Sequence, residues 1–217
     1  MLPLRDHERS ERFPIVTISL IGINVLAFIA EYMAPDLDAF IQTWALVPSV
    51  MNPVTFLTSM FLHGGIAHIG FNMWYLWIFG DNVEGRLGHG WFLLFYLAAG
   101  LAAIAAELPG MLGSDIPMLG ASGAIAGVLG MYLAFFPHHR VDALIPDFFG
   151  FWRMATIPAS FVLGFWFVLQ IFSGVGSIGV EGGGVAWWAH IGGFAFGWIL
   201  GFFLTVGSRK KVDIETI

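Results

Sequence analysis

The chain has 217 residues, 58% of them hydrophobic and 11% charged, with a mean hydropathy of +0.80. A soluble domain carries about 25% charged residues, so this chain has too few to cover a water-facing surface, and its composition reads as that of a membrane protein. A formal net charge of −6 and the lack of a basic stripe argue against a nucleic-acid binder, while the absence of cysteine excludes disulfides, zinc–thiolate sites and a cysteine nucleophile.

Along the chain, Met1 to Phe13 mixes Arg5, Arg9 and Arg12 with Asp6, Glu8 and Glu11, a poor leader for secretion. The apolar run that follows lacks a small-x-small cleavage site and reads as an uncleaved anchor. A spanning helix needs roughly 20 apolar residues. Six stretches qualify or come close: 15–33, 66–83, 89–107, 121–136, 156–173 and 186–206. Pro14 suits the start of the first, Asp81-Asn82 ends the second, and Pro137 stops the fourth. Residues 34–65 are long and apolar, with Trp44, Phe56, Leu57 and Phe61, and are expected to lie in the outer interface without crossing. Segment 174–185 holds six glycines in twelve residues and reads either as a linker or as a lid. The expected architecture is an all-α membrane protein. It has a tail at 1–14, a six-helix domain at 15–206 and a second tail at 207–217.

The positive charges orient these spans. With six crossings, all nine Lys and Arg residues fall in the two tails, the 2–3 loop (Arg86) and the 4–5 loop (Arg140, Arg153). Segments 34–65, 108–120 and 174–185 hold none. By the positive-inside rule both termini are cytoplasmic. Spans two, four and six then run inward from the outer face. His68 and Asn72, Ser122, and His190 all stand in the first turns of those three spans, at about one depth.

That layer has the makings of a hydrolytic site. A serine hydroxyl is a weak nucleophile without a base, and polar residues inside spans are functional by default. Ser122, in Gly120-Ala121-Ser122-Gly123, and His190, in Ala189-His190-Ile191-Gly192-Gly193, are the expected nucleophile and base. Gly123 and Gly127 on span four, and Gly193, Gly197 and Gly201 on span six, form small-x3-small stripes that let two helices approach closely. Such packing also has a purely structural use, which does not compete with catalysis. Unpaired N–H groups at the start of span four, with His68 and Asn72 four residues apart on one face, are suited to hold an oxyanion. Gly120 is grouped with them as a substrate-positioning residue. No acid is expected in the outer half of these helices to orient His190, so the arrangement reads as a Ser–His dyad. Glu84 and Arg86 are expected to make a structural link at the inner surface.

Taken together, His63-x4-His68-x3-Asn72, Glu84-x-Arg86-x-Gly88, Gly120-x-Ser122-Gly123 and His190-x2-Gly193-x3-Gly197 resemble the rhomboid intramembrane serine proteases over residues 54–201, in their basic six-span bacterial form. The resemblance implies six helices around a shorter, Ser-bearing fourth. It implies Ser122 as nucleophile, His190 as base, and an oxyanion hole from the Ser122 N–H, His68 and Asn72. It implies a water-filled cavity capped by 174–185, transmembrane segments of other proteins as substrates, and no cofactor or metal. Self-association is left open. An aromatic that many members place three or four residues after the nucleophile is replaced here by Ile125 or Ala126; Trp187 or Trp188 is expected to pack the imidazole in its place. The bacterial inner membrane, with the site toward the external face, is the expected location. Two other readings stand beside this one. The first is a non-catalytic binder of single-span proteins on the same scaffold. The second is a small transporter or metal carrier using His63, His68 and His190.

Overall fold

The computed structural model describes residues 1–147, 150–178 and 184–215, with side chains through 207. Its elements in chain order are β1 (Leu2–Asp6), α1 (Ile15–Tyr32), α2 (Leu37–Trp44), α3 (Thr55–Thr58) with a 3-10 turn at Ser59–Phe61, α4 (Ile66–Leu87), α5 (His89–Met111), α6 (Ser122–Phe135), β2 (Arg140–Pro146), β3 (Trp152–Pro158), α7 (Ala159–Gly176) and α8 (Trp187–Glu215). The chain is mostly helical. Among the described residues, four helices, α1, α5, α7 and the Trp187–Gly207 part of α8, are long and apolar enough to cross a bilayer. α4 is 22 residues long but carries Asp81, Glu84 and Arg86 near its end.

α6 is the axis of the bundle. It is buried without a break from Gly123 to Tyr132, enclosed by α4, α5 and α8. At 14 residues it spans about 21 Å, against roughly 30 Å of hydrocarbon. It is therefore too short to cross the hydrocarbon on its own. The outer helices turn large apolar side chains outward, among them Leu26, Leu94, Phe172 and Phe203. A water-soluble protein rarely leaves such contiguous apolar area bare. The chain is an integral, multi-pass membrane protein.

The all-α expectation is corrected at one end of the bundle. β1, β2 and β3 form an antiparallel sheet in that order, with Leu2 opposite Leu144 and Ala143 opposite Ala155. The first tail is thus a paired strand, fixed further by Trp74 Nε1, which donates to Pro3 O at 2.8 Å. The fifth span was expected from residue 156. It begins at Ala159 because 156–158 are still paired with 140–142 in the sheet. One face of the sheet, with Val141 and Ala143, closes the core. On the other face Asp142 accepts from Thr156 Oγ1 at 2.6 Å, from His7 Nε2 at 2.7 Å and from Arg5 Nη2 at 3.0 Å.

These bonds, Thr156's foremost, pull the Asp142 carboxyl down from its ordinary 3.8 to about 2. A carboxyl depressed in the folded state adds stability that is complete above its unfolded value and is lost as pH falls through the folded one. Protection of the β2 and β3 amides in hydrogen exchange should therefore hold from neutral pH down to about 4 and fall away toward pH 2. In Asp142→Asn that acid-dependent loss should be absent. An identical acid profile in the variant would show that another group controls the sheet.

Glu84, 1% exposed, fastens α1 to α4. Its carboxylate accepts from Val16 N at 2.9 Å, Thr17 N at 2.8 Å and Thr17 Oγ1 at 2.7 Å, and contacts His89 Nδ1 at 2.6 Å. It thereby satisfies N–H groups that the start of α1 would otherwise leave open. Arg86 donates to Phe135 O at 3.3 Å and lies over the Phe135 ring at 4.1 Å, tying α4 to the far end of α6. Arg5, Arg86, Arg140 and Arg153 all belong to this end, opposite Ser122.

Candidate active site

The start of α6 is held in place from the 34–65 segment. Leu46 and Met118 form a backbone bridge, and Gly120 N donates to Ser59 O at 2.9 Å. Gly120 has φ +131, a conformation that disfavours a side chain, and a Cβ there would stand 3.0 Å from both Cε1 and Nε2 of His68. Its N–H is therefore already engaged. Gly120 contributes the turn and the room beside His68, and no donor. Ser122 follows as the first residue of α6, where backbone N–H groups lack intrahelical acceptors.

His190 is the fourth residue of α8. Ser122 Oγ and His190 Nε2 are 2.8 Å apart. The glycine stripes explain the approach of the two helices. A Cβ on Gly193 would lie 2.1 Å from Gly123 O, one on Gly197 1.9 Å from Gly127 O, and one on Gly130 2.1 Å from Phe194 O. The backbones touch where any side chain would collide. Gly123 and Gly127 also face α5, at Ala103 and Ala99. Gly201 packs on Met131 and Ala134. α6 is thus gripped from two sides.

Two polar residues not singled out in the sequence complete the setting of His190. Gln170 Oε1, from α7, is 2.8 Å from His190 Nδ1. Glu107, from α5, accepts from Ala189 N at 2.8 Å and so caps the start of α8. Glu107 stands on α5, braces the start of α8 and does not touch the ring. Both residues carry the signal that marked His190 itself: a polar side chain inside an apolar span. The imidazole is flanked by Trp166 at 5.8 Å and edge-on by Trp187 at 6.2 Å. Trp187 is one of the two residues anticipated; Trp188 lies against Gly174 instead.

His68 Nδ1 accepts from Gly64 N at 3.3 Å, which leaves the ring proton on Nε2, the atom beside Gly120. Asn72 is 6% exposed, and its Nδ2 has no partner among the described residues. A buried donor left open in this way is suited to a ligand. His63 precedes α4, so helical spacing does not separate it from His68. The two rings meet edge to face at 5.2 Å, and His63 N donates to Glu31 Oε2 at 3.1 Å. A cavity of about 40 Å³ beside Ser122 is lined by Ala103, Ala186 and Ala189 together with Met60, Ile104, Met118 and Leu119. Five residues of segment 174–185, 179–183, lie outside the described residues.

A hydroxyl bonded to an imidazole, with open donors alongside and lipid-facing helices around, defines a serine-hydrolase type of site within a multi-pass membrane protein. The Rhomboid domain model matches residues 51–206, and the chain belongs to the rhomboid family. It is 28% identical over 201 residues to Rhomboid protein 1, mitochondrial, of Saccharomyces cerevisiae, covering 89% of this chain and 54% of that protein. It is 49% identical over 77 residues to Rhomboid protease GluP of Bacillus subtilis, 36% of this chain and 15% of that protein. It is 31% identical over 147 residues to Rhomboid-type serine protease 2 of Emericella nidulans, 67% of this chain and 26% of that protein. The chain spans about half or less of the length of these relatives.

Proposed function

We propose that this protein is an intramembrane serine endopeptidase that cuts transmembrane segments of other membrane proteins through a Ser122–His190 dyad. The observation that carries the reading is the 2.8 Å contact between Ser122 Oγ and His190 Nε2. His190 takes the hydroxyl proton as Oγ bonds to the substrate carbonyl carbon. The developing oxyanion is met by the Ser122 N–H, His68 Nε2–H and Asn72 Nδ2–H. The C–N bond then breaks as His190 returns the proton to the leaving amine, leaving an acyl-serine. A water, deprotonated by His190, releases the new carboxylate and restores Ser122. The sequence calls for no metal or cofactor.

The small volume of the 40 Å³ cavity beside Ser122 favours a substrate with a small side chain at the cut. The substrate must also unwind locally, because a helical peptide bond is shielded by its own hydrogen bonds. Six crossings with both termini cytoplasmic account for the arginines gathered at the end remote from Ser122. The site then opens to the external side of the membrane. A bacterial plasma membrane is the proposed location, with single-span proteins and the bilayer itself as partners.

The test is cleavage of a single-span model substrate by the purified protein in detergent or liposomes. The wild type should release two fragments, and Ser122→Ala none. Asn72→Ala should slow turnover roughly 10- to 1000-fold, the effect of losing one oxyanion donor. Equal cleavage by Ser122→Ala would refute the dyad. Unchanged turnover in Asn72→Ala would remove Asn72 from the oxyanion site.

A further inference from the structure

We infer that Gln170 is the positioning residue of this site, holding His190 in the Nδ1–H tautomer so that Nε2 faces Ser122 as a free lone pair. The inference rests on the dyad reading above. Gln170 is 6% exposed within α7, while its neighbours Leu169 and Ile171 point outward. An amide buried in an apolar span must find partners or be costly. Gln170 finds one on each side. Its Nε2 donates to Trp166 O at 3.3 Å, and a carbonyl can only accept, so the amide nitrogen belongs there. Oε1 is thereby left toward His190 Nδ1, 2.8 Å away. Facing an oxygen that only accepts, Nδ1 must carry the proton. A neutral imidazole has one N–H, so Nε2 is the acceptor for the Ser122 hydroxyl.

The same helix fixes the plane of the ring. Trp166 is one turn before Gln170 on the same face, and its indole lies 36° from the imidazole plane. α7 therefore supplies both the acceptor that selects the tautomer and the surface that restrains rotation. A neutral amide does this without placing a fixed charge in the membrane. Among the described residues, the ionisable groups around the ring are His68 of α4, which interacts with it electrostatically, and Glu107 of α5, bonded to the adjoining Ala189 N–H. Ser122 faces it from α6, and from α7 the facing polar group is Gln170 itself. A carboxylate at position 170 would add a strong partner for a protonated imidazole, which none of the described residues provides at the ring.

The experiment compares wild type, Gln170→Met, Gln170→Glu and Ser122→Ala with the same single-span substrate. Gln170→Met should lower kcat about 10- to 100-fold, by analogy with the cost of removing the partner that orients a metal-ligating histidine, with KM little changed. Gln170→Glu should restore most of kcat and move the acid limb of the pH profile upward, because a nearby carboxylate favours the charged imidazole. Histidine ¹⁵N spectra, with His190→Ala to assign the signal, should show Nδ1–H at His190 in wild type and a mixture of tautomers in Gln170→Met. Wild-type kcat in Gln170→Met, or an Nε2–H signal in the wild type, would overturn the inference. Equal loss in Met and Glu, with no shift of the acid limb, would overturn it too by marking Gln170 as merely structural. Cleavage by Ser122→Ala would instead bring down the dyad, so the two failures are separable.

Discussion

Gly197→Leu should leave no stably folded protein, and Gly197→Ala should be strongly destabilised. Even the single carbon of alanine would sit 1.9 Å from Gly127 O, 2.7 Å from its carbonyl carbon and 3.0 Å from its Cα. These are backbone atoms inside a buried helix, so no rotamer change relieves them. Overpacking against movable side chains typically costs about 1–3 kcal/mol, and a clash with backbone belongs at or beyond the upper end. The alternative to unfolding is separation of α8 from α6. That would carry His190 away from Ser122, and a displacement of about 1 Å can cost on the order of 100-fold in rate. Gly164→Ala in α7 is the control, because nothing lies within 4 Å of its added carbon. Thermal unfolding in detergent, followed by tryptophan fluorescence, reads both variants. A Gly197→Ala protein as stable and as active as Gly164→Ala would contradict the packing described for α6 and α8.

His190→Ala should reduce kcat/KM for a single-span substrate by about 10⁴-fold or more, the scale of losing the base of a serine hydrolase. The fold should survive. The ring gives up contacts to Ser122 and Gln170, and single hydrogen bonds contribute about 1 kcal/mol each. The unfolding temperature should therefore fall modestly while cleavage disappears, the opposite of the Gly197 pattern. Cleavage within tenfold of wild type would mean that some other group takes the serine proton.

The bundle was legible in the sequence because its physics is local. Apolar runs long enough for a bilayer appear as runs, Pro137 ends α6 within two residues of its last turn, and four-residue glycine spacing marks the faces that touch. Ser122 and His190 stood out because they break apolar runs at matching depth. The sheet was hidden for the complementary reason. Strands β1 and β2 are 137 residues apart where Arg5 meets Asp142, and their short, partly apolar sequences carry no alternation strong enough to separate them from helix flanks. Gln170 was overlooked although the rule that marked His190 applies to it equally. One amide in an apolar helix gives no hint of its partner until α7 and α8 are placed side by side. The contact of His63 with His68 was hidden for a similar reason, since His63 stands before α4 begins and its position is set by the turn ahead of the helix.

The central claim is that Ser122 is a nucleophile activated by the imidazole beside it. It is tested most directly by treating the folded protein with a fluorophosphonate probe and locating the adduct by mass spectrometry. One adduct on Ser122, lost when the protein is unfolded first and strongly reduced in His190→Ala, is the predicted result. Labelling that ignores Ser122, or that proceeds at the same rate without His190, would contradict it.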